Sequence, residues 1–193
     1  MANVLIVYGT TEGQTAKIAQ HIGDAGRRLG HDVVVRHAPD VTGPDLDRLD
    51  AIIVGGSLHE GRYQRSVRRF VEQHKAALAS RPSAFFSVSL AAASRNQDER
   101  AEARRIATDF VAGTGWAPKR IESFGGALRY TQYSWLKRML MKHISEKEHG
   151  DTDTSRDFEY TDWDEVTRFA EGFFDDANVA ARPQSTDGAS SPP

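Results

Sequence analysis

Three threonines within six residues, Thr10, Thr11 and Thr15, share the string GTTEGQT with Glu12, Gly13 and Gln14. Hydroxyls and unpaired backbone N–H groups are donors, and a cluster of them without a lysine suits a phosphate monoester held by neutral partners. No Lys follows the second glycine and G-x-G-x-x-G is absent, so two other phosphate loops are excluded. A plain strand-to-helix turn, with glycine for backbone freedom and Thr15 near a cap, stands beside the phosphate reading on this string alone. Two further loops carry different groups. Ser57, Leu58, His59 and Tyr63 combine apolar, aromatic and titratable side chains, whereas Ser89, Leu90, Ala91 and Ala92 are small or apolar and uncharged. His59 could shuttle protons near neutral pH, but beside Glu60 it reads first as an ordinary loop histidine. The other six histidines lack metal-ligand spacing, and with no cysteine there is no thiolate nucleophile, disulfide or cysteine-ligated metal. No residue reads as a protein nucleophile or base, so catalytic residues stay unassigned.

These loops follow strand-like runs. Val4–Tyr8 is continuously apolar, as in a strand buried on both faces, and Ile18, Ile22 and Leu29, with Ala19 and Ala25, then recur at helical spacing. Asp32–Arg36, Ala51–Val54 (ending at Gly55-Gly56), Ala84–Val88 and Arg120–Phe124 supply four more strands. Helices are expected over Gln64–Leu78, about Asp98–Val111 and Asp162–Ala177, the last capped by Thr161 or Asp162. Strands alternating with helices imply a parallel sheet covered on both faces, with ligands beyond the carboxyl ends of its strands.

The bulk properties bound the rest. A chain of 193 residues, 39% hydrophobic and 27% charged, fits one soluble globular domain, here placed at 1–178, with a disordered tail at 179–193. A net charge of −2 gives no pull toward nucleic acid. Neither a signal peptide nor a membrane span is evident, so a cytoplasmic location is expected. An insert at 128–158 precedes the last helix. Its first part carries Arg129, Lys137, Arg138 and Lys142 without an acid, Tyr133, Leu136, Leu140 and Ile144 on one side, and Tyr130 and Trp135 as further aromatics. A basic amphipathic helix of this kind suits an anionic membrane surface or an acidic partner, and its aromatics could also wall a flat substrate. The alternative is a helix packed on its own domain, its bases paired with the acids that follow, from Glu146 to Glu159.

The string T-T-E-G-Q-T after an N-terminal strand resembles the FMN-phosphate loop of flavodoxins. That resemblance implies an α/β flavodoxin-like fold, a five-stranded parallel sheet in the order 2-1-3-4-5. It also implies FMN, with its phosphate on Thr10–Thr15 and its ring between the loops at Ser57–Tyr63 and Ser89–Ala92. Farther along, GGALRY, the Trp-containing basic stretch, GDTDT and EYTDW resemble, in order and spacing, the flavodoxin-like quinone-dependent protoporphyrinogen oxidases. The likeness covers nearly the whole chain. It implies oxidation of protoporphyrinogen IX to protoporphyrin IX in haem synthesis and electron transfer to a membrane quinone. It also implies peripheral attachment at the inner face of the cell membrane and an insert needed for activity. Two loops depart from the pattern: Leu58-His59-Glu60 stands where an arginine and an aromatic are expected, and Ala91-Ala92-Ala93 where a more basic stretch is expected. Both remove positive charge where the substrate's propionates would dock. A flavodoxin-type electron carrier, an FMN-dependent quinone reductase with another donor, and a flavin-free module remain as alternatives.

Overall fold

Five strands rich in β-branched and aromatic residues pair in parallel, in the computed structural model of this chain, which describes residues 1–41, 46–128 and 157–181. β1 (Asn3–Gly9), β2 (Asp32–His37), β3 (Ala51–Ser57), β4 (Ser83–Ser89) and β5 (Arg120–Gly125) lie in the order β2-β1-β3-β4-β5, the order expected. The helices are α1 (Gln14–Arg28), α2 (Arg65–Gln73), α3 (Lys75–Ala79), α4 (Gln97–Thr114) and α5 (Trp163–Ala181). Successive side chains of a strand face opposite ways, so neighbours along β3 and β4 serve two cores. Ile53 and Phe86 pack with Ile18, Ile22, Phe169, Phe173 and Phe174 of α1 and α5. Ile52 and Phe85 pack with Val67, Phe70, Phe110 and Trp116 on the other face. Burial on both sides is why these strands read as unbroken apolar runs.

The structure corrects several boundaries. β3 continues through Gly55-Gly56 instead of stopping there. A Cβ on Gly55 would lie 2.1 Å from the Phe86 ring, and one on Gly56 2.7 Å from the Tyr63 ring, so these glycines admit aromatic rings. The helix expected over Gln64–Leu78 divides at His74 into α2 and α3. Leu29 falls after α1 and is 49% exposed; Gly30, at φ 84°, turns the chain away. Of the two proposed caps for α5, Asp162 fills the role, its Oδ1 accepting from the N–H groups of Asp164 and Glu165 at 3.0 Å each. α5 runs on to Ala181, past the expected start of the tail.

After β5 the chain forms a two-residue strand, β6 (Ala127–Leu128), antiparallel to β7 (Phe158–Glu159), with Ala127 opposite Glu159 and Leu128 opposite Phe158. The expected insert thus departs and returns at one place. Its interior, including Arg129, Tyr130, Tyr133, Trp135, Lys137, Arg138 and Lys142, lies outside the described residues, as do residues 182–193 of the expected tail. No helix among the described residues is long and apolar enough to cross a membrane.

Candidate functional site

The site is built at the carboxyl end of the sheet, beginning where β1 gives way to α1. Gly13 precedes the helix at φ 86°, a left-handed conformation that glycine adopts without a Cβ clash. Thr10 Oγ1 accepts from the Gly13 N–H at 2.8 Å and folds the loop back on itself. Among the described residues no side chain caps α1, and no acid stands in its first turn. The donors of that turn therefore face outward with their partial positive charge uncompensated. Gln14 and Thr15 are buried, and among the described residues neither Gln14 Oε1 nor Thr15 Oγ1 has a hydrogen-bond partner. A buried hydroxyl left without a partner is costly unless something outside the protein supplies one.

The second loop is a tight hairpin. His59 and Arg62 exchange both backbone hydrogen bonds, at 3.0 and 2.9 Å, around Glu60 (φ 48°) and Gly61 (φ 74°). Two central residues at positive φ make a type I′ turn, which explains the glycine at its second position. Gln64 ties this loop to the first, accepting from the Ser57 N–H at 3.2 Å and donating to Thr11 Oγ1 at 3.0 Å. The Leu58 N–H donates to the Val88 carbonyl at 2.8 Å and joins it to the third loop. There Ser89 Oγ accepts from the Ala92 N–H at 3.2 Å, the Gly126 N–H donates to the Ser89 carbonyl at 3.0 Å, and Leu90 stands 42% exposed at the rim.

The three loops enclose one cleft of about 480 Å³, within the range of cofactor pockets. Of the residues expected to bind a cofactor, Thr10, Thr11, Glu12, Gln14, Thr15, Ser57, Leu58, His59, Ser89, Leu90 and Ala91 line it. Gly13 shapes the turn, and Ala92 stands back from the wall with its N–H held by Ser89. Tyr63 does not line the cleft. Past the hairpin the chain drops onto the sheet, where the Tyr63 ring packs 4.5 Å from Phe110 and 5.3 Å from Phe85, and its hydroxyl donates to Ser87 Oγ at 2.8 Å. Burial pushes the phenol up to about 12, against a smaller opposing effect of the Ser87 hydrogen bond. The sequence reading missed Val88, Ile106, Gly126 and Ala127, which also line the cleft, as do Glu60 and Gly61. Gly126 could have been suspected from its place after a strand; Ile106, inside a helix, carries no local signal.

The cleft therefore has a donor-rich, anion-seeking end at α1 and an apolar end between Leu58, Val88, Leu90 and Ile106. It suits an elongated ligand with a phosphate at one end and a flat apolar body at the other.

Comparison with known proteins agrees with this geometry. A family profile described as a flavodoxin domain matches residues 5–155. The chain is 35% identical over 167 residues to the protoporphyrinogen IX dehydrogenase (quinone) of Escherichia coli strain K12, covering 86% of this chain and 91% of that protein. It is 33% identical over 174 residues to the protein of the same name from Leishmania major, covering 88% of this chain and 73% of that protein. In three dimensions it is similar to a flavodoxin of Streptococcus pneumoniae TIGR4, with a TM-score of 0.52 at 15% identity over 92% of this chain and 99% of that one.

Proposed function

Since this chain belongs to the flavodoxin-domain family and, within it, to the protoporphyrinogen IX dehydrogenases, we propose that it is an FMN-dependent oxidoreductase that oxidises protoporphyrinogen IX to protoporphyrin IX with a membrane quinone as acceptor. The observation that carries the cofactor reading is Thr15 Oγ1, buried and, among the described residues, without a partner, at a helix N-terminus that no described side chain caps and that opens on the cleft. A phosphate there receives the Thr15 hydroxyl together with the first-turn N–H groups of α1, and Thr10 and Thr11 complete the loop. Leu58, His59, Leu90 and Ala91 flank the apolar end, where the ring belongs. Bound FMN supplies the two-electron redox centre, and the protein's part is to orient it, shield it from water and present its edge.

A membrane quinone requires that edge to approach a bilayer. Leu90 is exposed at the rim, and Arg62 and Arg95, both exposed on the flanking loops, form no ion pair among the described residues. An apolar tip with bases beside it favours an anionic lipid surface. Arg62 and Arg95 each lie four residues along the chain from Leu58 and Ala91, where the sequence departs from the family pattern, and would be the bases nearest in sequence to meet the substrate's propionates. The basic stretch Arg129–Lys142, with Tyr130, Tyr133 and Trp135, supplies the remaining membrane contact and a wall for the flat substrate, with the protein peripheral on the inner face of the membrane.

The test is direct. Purified protein should show flavin absorbance bands, and protoporphyrinogen IX should be converted to fluorescent porphyrin only when a ubiquinone or menaquinone analogue is supplied. A holoprotein that reduces no quinone but serves a soluble redox partner would make it an electron carrier instead.

A further inference from the structure

The segment from Glu159, the last residue of β7, to Thr161 touches α1 at two points, three residues apart along the helix. Glu159 Oε2 accepts from Lys17 Nζ at 2.8 Å, and Glu159 Oε1 accepts from Trp163 Nε1 at 2.9 Å, so both carboxylate oxygens are engaged. Thr161 Oγ1 donates to the Gly125 carbonyl at 2.7 Å. A hydroxyl has one hydrogen, so toward Gln14 Nε2, 2.9 Å away, this oxygen acts only as acceptor. The Gln14 amide is thereby fixed with its nitrogen toward Thr161, and Oε1 is left buried without a partner. The Tyr160 N–H donates to the Gly126 carbonyl at 3.0 Å, and a Cβ on Gly125 would lie 2.4 Å from the Tyr160 carbonyl oxygen. Thr161 is thus tied to β5 by its own hydroxyl and by the close seat of the preceding residue.

Gln14 is the first residue of α1, and the N–H groups of that turn are the donors assigned above to the phosphate. Among the described residues no side chain caps α1, and Gln14 and Lys17 tie its first turn to the segment Glu159–Thr161. Resting on the FMN reading, we propose that Thr161, braced by Glu159, is a positioning residue for the phosphate half of the site. It holds the first turn of α1 so that its donors and Thr15 Oγ1 converge on one point, and so makes the protein select phosphorylated over unphosphorylated flavin. This selectivity is exerted from a residue 147 positions away in sequence.

The experiment titrates apoprotein with FMN and, separately, with riboflavin, which lacks the phosphate, following quenching of flavin fluorescence. Thr161→Val removes the hydroxyl at nearly constant volume. Its FMN Kd should rise about tenfold, as for one lost hydrogen bond, while riboflavin affinity stays within about twofold of wild type. Thr161→Ser, which keeps the hydroxyl, should restore FMN binding. Unchanged FMN affinity in Thr161→Val, or equal losses for FMN and riboflavin, would overturn the proposal. If Thr161→Val does not fold, Glu159→Gln is the second variant. It weakens the tie to Lys17 and should lower FMN affinity severalfold without lowering that for riboflavin, and no such difference would again overturn the proposal. A wild-type apoprotein that binds neither flavin would overturn the FMN reading itself, a result distinct from the loss of selectivity alone.

Discussion

The hydroxyl of Tyr63 donates to Ser87 Oγ at 2.8 Å from beneath the carboxyl end of the sheet, with the ring against Phe85 and Phe110. An aromatic residue in a ligand-binding loop is thus part of the core that supports the loop. Tyr63→Phe should leave FMN affinity unchanged and lower folding stability by about 1 kcal/mol, the usual net worth of one hydrogen bond. Denaturant unfolding and flavin titration on the same variant check both halves, and a loss of flavin binding at unchanged stability would place Tyr63 in the site.

The phosphate loop should respond to removal of its hydroxyls in two ways. Thr15→Val deletes the buried hydroxyl proposed to meet the phosphate, whereas Thr10→Ala deletes the acceptor that holds the Gly13 N–H and loosens the loop. Together they should weaken FMN binding by about 2–3 kcal/mol, at roughly 1–1.5 kcal/mol per hydrogen bond. Flavin retention equal to wild type in the double variant would remove the phosphate from this loop.

Acid sensitivity should trace in part to His31. It is buried, accepts from the Ala2 N–H at 3.3 Å, and packs 4.9 Å from the Phe174 ring. Burial, then the N-terminal ammonium, holds it below its ordinary value of 6.5, with Asp175 opposing. The unfolded chain therefore binds the proton first as pH falls through that value, and stability present above it is lost toward the lower, folded value. His31→Asn should flatten the fall in urea midpoint between about pH 7 and about pH 5. A parallel fall in both proteins would assign the acid response to other groups.

Replacing residues 129–157 by a short Gly-Ser linker between β6 and β7 should abolish quinone-coupled turnover while FMN stays bound. The Gln14–Thr161 and Lys17–Glu159 ties are retained in such a variant. Full quinone-coupled activity would deny the segment its catalytic role.

Changing Arg129, Lys137, Arg138 and Lys142 to Gln should weaken cosedimentation with anionic vesicles, at about 1 kcal/mol per base near the surface. Added salt should reduce wild-type binding in the same direction. Equal sedimentation of wild type with neutral and anionic vesicles would refute an electrostatic attachment.

What the sequence made legible follows from how local each signal is. The central strands stood out because burial on both faces leaves no polar interruption, as in Val4–Tyr8 and Ala51–Val54, whereas the edge strands β2 and β5 are partly exposed and were read from short apolar runs. The phosphate loop is contiguous, so its threonines and glycine could be read together. Gly55-Gly56 misled because glycine reads as a stop, whereas here its missing side chain makes room for Phe86 and Tyr63. Tyr63 stands back from the cleft because the two-residue turn at Glu60-Gly61 reverses the chain before that residue is reached. Ile106 and the Gln14–Thr161 tie depend on how distant elements pack, which no local pattern encodes.

The β6–β7 ribbon brings the ends of a long excursion to adjacent rungs of one ladder. Because the closing entropy of a loop grows only logarithmically, each doubling of its length costs only about 0.6 kcal/mol more once its ends are pinned. This junction is therefore where the chain can be lengthened, shortened or exchanged with little penalty to the sheet below. It is the natural grafting point of the molecule, where a new reach toward a membrane or a new partner can be tried while the flavin site beneath keeps its shape.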